Sequence, residues 1–368
     1  MQKTILVVAV GVLSGTSQLS SAFDIDAGDV QASIYGYAQL NAVYDINEDI
    51  GTSTQAGSFG SLTDGDNDVE GHFDADALQS RLGVSVTHKN GVKAVVEGDF
   101  RTSNLRLRHA YGSYNNWIIG KTWSNYNSWT GWTPTLDFDS LAGSPGVQDR
   151  TEQVRYTRGA FSVSAEKDYF PNIDNYSSST KTSVPTFTAR YESSISDSVN
   201  VVVAGLVRRL SFDDGMTDES ALGYGTFAGA SVKLGEFSIQ GAFNYSDGAN
   251  AYLYRSGNDF GGIDAYVFNG SLETVTGYGG TLGVSTSIGS GSLNIAYGMA
   301  TMDLDDYDND VGVAVGTHET NTNMFINYQW KPMDNVMMGV ELARFETDFY
   351  GAGSADASRV MYSARYSF

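Results

Sequence analysis

The sequence predicts an all-β protein, a transmembrane antiparallel β-barrel of about sixteen strands with short periplasmic turns and long external loops. Three observations carry this. The chain ends in a strand: Val360, Tyr362, Ala364, Tyr366 and Phe368 fall on one face and Arg359, Ser363, Arg365 and Ser367 on the other, a period of two. That aromatic-rich face stops at a terminal Phe, the pattern of a last barrel strand. The chain opens on the plan of a signal peptide over residues 1–22. Lys3 is its charged head, residues 5–13 its apolar run, and Ser20-Ser21-Ala22 its small-residue cleavage site. Between these ends strands recur, and their connections alternate long and short.

In chain order, residues 23–32 read as a short periplasmic N-terminal segment and residues 33–368 as the barrel. Strand one covers residues 33–44 and leads into a long acidic loop to residue 78. Strand two, residues 79–88, turns at Lys89-Asn90-Gly91 into strand three, residues 92–101. Strand four, residues 105–114, turns at Asn115-Asn116 into strand five, residues 117–125. The long connection over residues 124–149 is expected to fold into the lumen. Later hairpins are marked by Arg158-Gly159, residues 196–198, Gly235-Glu236, residues 289–292 and residues 331–335. Gly, Asn and Ser supply the backbone shapes of tight turns. With the N-terminus in the periplasm, every short turn falls on the periplasmic side. Membrane barrels have that asymmetry; a soluble sandwich has no cause for it.

Composition agrees. The 42 Gly and 22 Tyr against 5 Pro suit a large sheet with tight turns and aromatic girdles. Mean hydropathy is −0.23, as expected where only alternate residues face lipid. Past the leader, no run approaches the roughly 20 apolar residues of a spanning helix. There is no cysteine, which excludes disulfides and thiolate metal sites. A net charge of −21 argues against nucleic acid as a partner. The acids cluster, eight within residues 47–78 and six within residues 303–319, both between strands and so in external loops.

Catalysis finds little support. The four histidines, His72, His88, His109 and His318, show no paired metal spacing. His109 and Ser113 share a strand face but stand about 13 Å apart at ~3.3 Å per residue. Asp306, Asp308 and Asp310 resemble the start of a calcium loop, as do Asp64, Asp66 and Asp68. Neither run has Gly at its sixth position or Glu at its twelfth. Solvated acid runs are the plainer reading, divalent bridging to lipopolysaccharide is the alternative, and no cofactor is expected.

Turn geometry assigns faces. With two turn residues at Asn115-Asn116, Tyr114 opposes Trp117, Ala110 opposes Lys121 and Arg108 opposes Trp123, with Arg106 beside Asn125. This polar face is expected in the lumen. The other face, with Tyr111, Ser113, Gly120 and Thr122, is too small and polar for open lipid and is expected to meet another subunit. At residues 289–292 the expected pairs are Ile288 with Leu293, Thr286 with Ile295 and Leu282 with Met299, an apolar face read as lipid-exposed. One wall of each kind points to an oligomer.

Residues 105–126, LRLRHAYGSYNNWIIGKTWSNY, resemble the signature of the DcaP-like porins. Residues 34–41, IYGYAQLN, and 77–83, ALQSRLG, resemble that family's first and second strands. The resemblance is close over the first third of the chain and holds in pattern beyond it. It implies a homotrimeric porin with the same strand number, passing small anions, dicarboxylates among them. By motif it singles out Arg81, Arg106, Arg108, Lys121 and Trp123.

Alternation adds Arg155, Arg190 and Arg365 to the lumen. Strand sixteen closes on strand one, so the basic residues gather on one wall, opposite a loop that carries Asp137 and Asp139. A guanidinium fork matches a carboxylate at two points and stays charged, and rings of Arg or Lys build anion pores. The competing reading is that each arginine neutralises a nearby acid; the turn at residues 89–91 puts Asp99 about opposite Arg81. Together these features predict an anion-favouring diffusion porin in contact with outer-membrane lipid and lipopolysaccharide. A plugged structural or adhesive barrel without flux is the alternative, and a soluble secreted β-protein a third reading.

Overall fold

The architecture comes from a computed structural model that describes residues 23–51, 53–63, 70–174, 180–258 and 260–368. The expected signal peptide and the run of Asp64, Asp66 and Asp68 lie outside the described residues. In chain order the strands are β1 Phe23–Ala27, β2 Val30–Asp45, β3 His72–Asp76, β4 Arg81–His88, β5 Lys93–Asp99, β6 Arg106–Tyr114 and β7 Trp117–Trp123. Then come β8 Arg150–Arg158, β9 Phe161–Glu166, β10 Thr180–Lys181, β11 Thr186–Ser196, β12 Val199–Asp213, β13 Asp218–Leu234 and β14 Phe237–Asp247. The chain finishes with β15 Ala265–Phe268, β16 Ser271–Thr274, β17 Thr276–Ile288, β18 Gly291–Asp303, β19 His318–Met333, β20 Val336–Phe349 and β21 Ser354–Ser367. β3 and β4 pair one after the other along β2, and β10 and β11 along β12, so each couple is one wall strand. β15 and β16 form a separate hairpin. With β1 set aside, the rest is a closed antiparallel barrel of sixteen wall strands.

The barrel closes between β21 and β2, Tyr37 opposing Ser367 and Asp45 opposing Arg359. The last residue completes the seam: Gly36 and Phe368 exchange both backbone N–H···O bonds at 3.0 Å. Beyond that point β1 replaces β21 along β2, with Phe23 opposing Ile34 and Ala27 opposing Val30. The lead-in expected before the first strand is thus itself paired.

The tight turns fall where the turn residues indicate. Asn115 and Asn116 have φ of 45° and 73°, the left-handed pair that a two-residue hairpin needs. At residues 289–290 the turn is also two residues long, so Thr286 opposes Leu293, two residues from the expected pairing. An even slip leaves every face unchanged, and Leu282 and Ile295 still point outward, 61% and 47% exposed.

One irregularity redirects a face. Glu97 opposes His109, yet Gly98 opposes Leu107, so Arg108 is an extra residue, a β-bulge. Val96 and Leu107 point outward, while Glu97 and Arg108 are buried inside. Past the bulge Tyr111 and Ser113 lie on the face of Glu97, opposite Val95 and Lys93, and Gly120 opposes Tyr111. Thr122 meets His109 Nδ1 at 3.1 Å. Tyr111, Ser113, Gly120 and Thr122 therefore face the lumen, which corrects the subunit contact expected of them. Ala110 and Lys121 do oppose each other, but on the outer face.

The acid run after β18 folds as a short helix, α1 Asp305–Asp310. Asp308 accepts the amide of Val313 and Asp310 the hydroxyl of Tyr266, and with Asp306 they lie on a short helix rather than in a calcium loop. Among the described residues, no three His, Asp or Glu side chains gather as a metal site. The apolar core lies inside the barrel, where inserted connections meet the wall. Ile50, Phe59 and Leu62 pack with Leu141 and Ala142 against Phe325 and Phe345.

Candidate pore constriction

Residues 124–149 enter the barrel and lie along its far wall. A loop in that position lacks strand partners, and its backbone groups must find others. Glu341 on β20 accepts the amides of Leu136 and Asp137, both at 2.8 Å. Asn323 on β19 and Asn244 on β14 accept the amides of Ala142 and Gly146, and Asn327 donates to the carbonyl of Pro134. The loop backbone touches the wall at Gly143. There φ is 68°, and a Cβ would stand 2.2 Å from the carbonyl oxygen of Met299, so glycine is required.

Both loop aspartates are tied up internally. Asp139 takes two guanidinium nitrogens of Arg101, from the connection after β5. Asp137 accepts the amides of Gly57, Asp139 and Ser140 at 2.8–2.9 Å and lies 3.7 Å from Arg255. Against the cost of burial, the Arg101 guanidinium holds the Asp139 carboxyl below its ordinary range. Burial raises that of Asp137, and Arg255 offsets this only in part. Both acids border the loop side of the constriction, but each is committed to a cation or to backbone amides, and the loop adds aromatic rings beside them.

Between the loop and the wall remains a cavity of about 280 Å³. Arg81, Arg108 and Arg365 reach it from the wall, and Trp129, Trp132, Leu136 and Phe138 from the loop. Trp123 joins at the end of β7, its ring centroid 5.1 Å from that of Trp129, which is 5.4 Å from that of Trp132. The arginines differ in their partners. Arg106 is held by Asp99 at 2.9 and 3.0 Å. Arg108 donates to Glu97 at 3.1 Å and to Asp99 at 2.8 Å. Arg81 lies 3.3 Å from Glu97. Arg365 donates to Gln39 at 2.7 Å and stacks over Tyr37; among the described residues it has no carboxylate at ion-pair distance.

Six of the predicted residues thus meet around one cavity: Arg81, Arg108, Trp123, Asp137, Asp139 and Arg365. Arg106 lines a second cavity of about 310 Å³, with Arg101, Asp139 and Arg255. Arg190 braces the loop, donating to the carbonyl of Asn127 and lying 3.5 Å from Glu192. Arg155 is on β8, its Nε buried without a hydrogen bond. Lys121 does not join the arginines: it is 3.2 Å from Glu152, beside outward Ile119 and Val154. The sequence reading missed Trp129, Trp132, Arg101, Arg150 and Arg255. The first two carried a usable signal, a Trp-x-x-Trp pair inside a loop expected in the lumen. Arg150, 4.4 Å over the Trp123 ring, and Arg255, in a connection far along the chain, carried none.

The sequence matches the family described as DcaP outer membrane protein over residues 12–368. No curated protein matches it. Among solved structures it is similar to the outer membrane channel DcaP of Acinetobacter baumannii, with 24% identity, a TM-score of 0.80, and 93% of this chain and 99% of that one covered. It is also similar to OmpT of Vibrio cholerae, with 12% identity, a TM-score of 0.59 and coverage of 94% and 100%. An anion-selective porin from Comamonas acidovorans aligns with 14% identity, a TM-score of 0.59 and coverage of 92% and 100%. At these identities the structural likeness concerns the fold.

Proposed function

Because the chain belongs to the DcaP outer membrane protein family, we propose that it is an anion-favouring diffusion porin that passes small hydrophilic solutes, carboxylates among them. Its place is the bacterial outer membrane, and its family and solved relatives are outer-membrane channels, so no catalytic step is invoked. The observation that carries the anion preference is Arg365, a lumenal guanidinium with no acid beside it among the described residues. Dicarboxylates stay within the proposed class as passing solutes, but the carboxylate anchor is not the Arg106–Arg108 pair. Arg106 and Arg108 are already matched by Asp99 and Glu97, whereas Arg81 and Arg365 both lie over the Tyr37 ring and border the cavity. Self-association belongs to the proposal too. The Lys121–Glu152 pair sits on an otherwise apolar outer face, where charge is costly against lipid, and a second copy of the chain would cover it.

The test is the reversal potential of the reconstituted protein in a salt gradient. Anion preference is expected, because screening over ~8 Å at physiological ionic strength lets the lumen wall outweigh distant acidic loops. A cation preference overturns the reading. One observation favours a plugged barrel instead: external connections pack into the mouth, with Ile50 and Phe59 fully buried. Single-channel recording separates the two, since a plug gives no conductance.

A further inference from the structure

Building on the anion-porin reading, we propose that the constriction cavity binds aromatic monocarboxylates, with the carboxylate at Arg365 and Arg81 and the ring against Trp129 and Trp132. The charge count points to one carboxylate. Of the three guanidinium groups that border the cavity, Arg108 is closed off by Glu97 and Asp99, and Arg81 shares Glu97. Only Arg365 offers a whole unmatched charge, and its fork is held in one orientation by Gln39 and Tyr37. A planar guanidinium so held presents two donors to one carboxylate.

The other side of the cavity has no use for a second charge. Leu136, Phe138 and the indoles line it beside Asp137 and Asp139, so a second carboxylate there would meet apolar groups and like charge, both of which disfavour it. A ring suits that side. Three of the chain's five Trp gather there, and successive rings stand 88° and 82° to each other, so both ring faces and ring edges are on offer. Aromatic pairs favour edge-to-face and offset contacts beyond what buried area alone provides. Trp132 is fixed in place by its Nε1 bond to Ser140 Oγ at 3.1 Å. A volume of about 280 Å³ sits just under the ~300 Å³ at which pockets for drug-sized ligands begin, which fits a single ring.

The experiment uses the purified protein in planar bilayers. Its reversal potential is read first. Benzoate, cyclohexanecarboxylate, acetate, succinate and benzylammonium are then added in turn, and block of the ion current is measured. Benzoate is expected to block at concentrations roughly three- to tenfold below those needed for the other three acids, the range an aromatic contact supplies, and benzylammonium is expected not to block there. Trp129→Ala and Trp132→Ala should each bring the benzoate-to-acetate ratio toward one, and Arg365→Gln should weaken block by both acids. Equal block by benzoate and acetate, by benzoate and cyclohexanecarboxylate, or by benzoate and benzylammonium overturns the site. So does tighter block by succinate, or a benzoate preference that survives both Trp variants. The wild-type series decides even where a variant does not fold. A cation-side reversal potential overturns the porin's anion preference itself, before any benzoate is added, so the two failures are distinct.

Discussion

The guanidinium of Arg365 lies 4.3 Å over the ring of Tyr37, and this stack keeps a cation in the lumen with no acid at ion-pair distance among the described residues. Arg365→Gln should shift the reversal potential toward cations. Arg365→Lys keeps the charge but loses the planar stack and the fork. It should keep anion selectivity and weaken carboxylate block. If the two variants behave alike in block, geometry at Arg365 is immaterial and charge alone matters.

Asp139 and Asp137 should differ under mutation. The Arg101–Asp139 pair is nearly enclosed, with side chains 14% and 8% exposed, and removing one partner of a buried pair costs about 3–5 kcal/mol. Asp139→Asn should loosen the loop, visible as a larger and noisier single-channel conductance. Asp137→Asn keeps one acceptor oxygen, loses the bond from the Gly57 amide and strips no guanidinium of a hydrogen-bonded partner, so it should cost less, about 1–3 kcal/mol. Equal effects would mean that Arg101 does not anchor the loop.

Acidification should leave the loop in place over a wide range. The folded value of Asp139 lies below its unfolded value of about 3.9. Its contribution is therefore complete above that pH and is lost only as pH falls through the lower folded value. Asp137, raised by burial, gains on protonation and does not oppose this. Conductance should stay level from pH 7 to about 4 and change below. A step near pH 6 would assign the loop's position to another group.

Arg255 ties three connections together. Its guanidinium donates to the carbonyls of Ser140 and Gly57 at 2.7 and 2.5 Å and lies 4.6 Å over the Phe59 ring. Hydrogen bonds from a charged donor contribute about 1.5–3 kcal/mol each, so Arg255→Met should cost about 3 kcal/mol or more. The variant should unfold at a lower temperature on heat-modifiability gels and conduct more. An unchanged midpoint would make the contacts incidental.

The outer pair gives a test of assembly. Glu152→Gln leaves Lys121 alone on the outer face and should lower trimer recovery on unheated gels. The double change Lys121→Leu and Glu152→Leu should restore membrane insertion without restoring trimers. Normal trimers from the single variant would place the subunit contact on another part of the wall.

How much of this was legible follows from particular residues. The wall strands and turns were readable because a half-buried strand stamps a period of two on the chain and hairpins demand residues such as Asn115-Asn116. The bulge at Arg108 was not. Leu105-Arg106-Leu107-Arg108 alternates without a fault, so an inserted residue leaves no mark; it shows only as the mismatch with Glu97 and Gly98 on β5. From His109 to Thr122 the faces were consequently reversed, including those of Tyr111 and Lys121. The pairing of Asp99 with Arg106 crosses between neighbouring strands and was half visible, since register set Asp99 opposite Arg81. The loop's path was expected, but what holds it, Glu341 and Asn323, lies some two hundred residues away and follows no local rule.

The seam at Gly36 and Phe368 has a consequence for biosynthesis. Along the same ladder Arg359 grips Asp45 at 2.6 and 2.7 Å across a separation of 314 residues. So remote a contact carries a large closure entropy and forms late. Until it forms, β2 keeps an open edge whose amides and carbonyls cannot be satisfied in hydrocarbon. An exported chain is thus an adhesive sheet until β2 and β21 are joined. Damage to either edge of the seam should therefore show first as aggregation, not as a narrower pore.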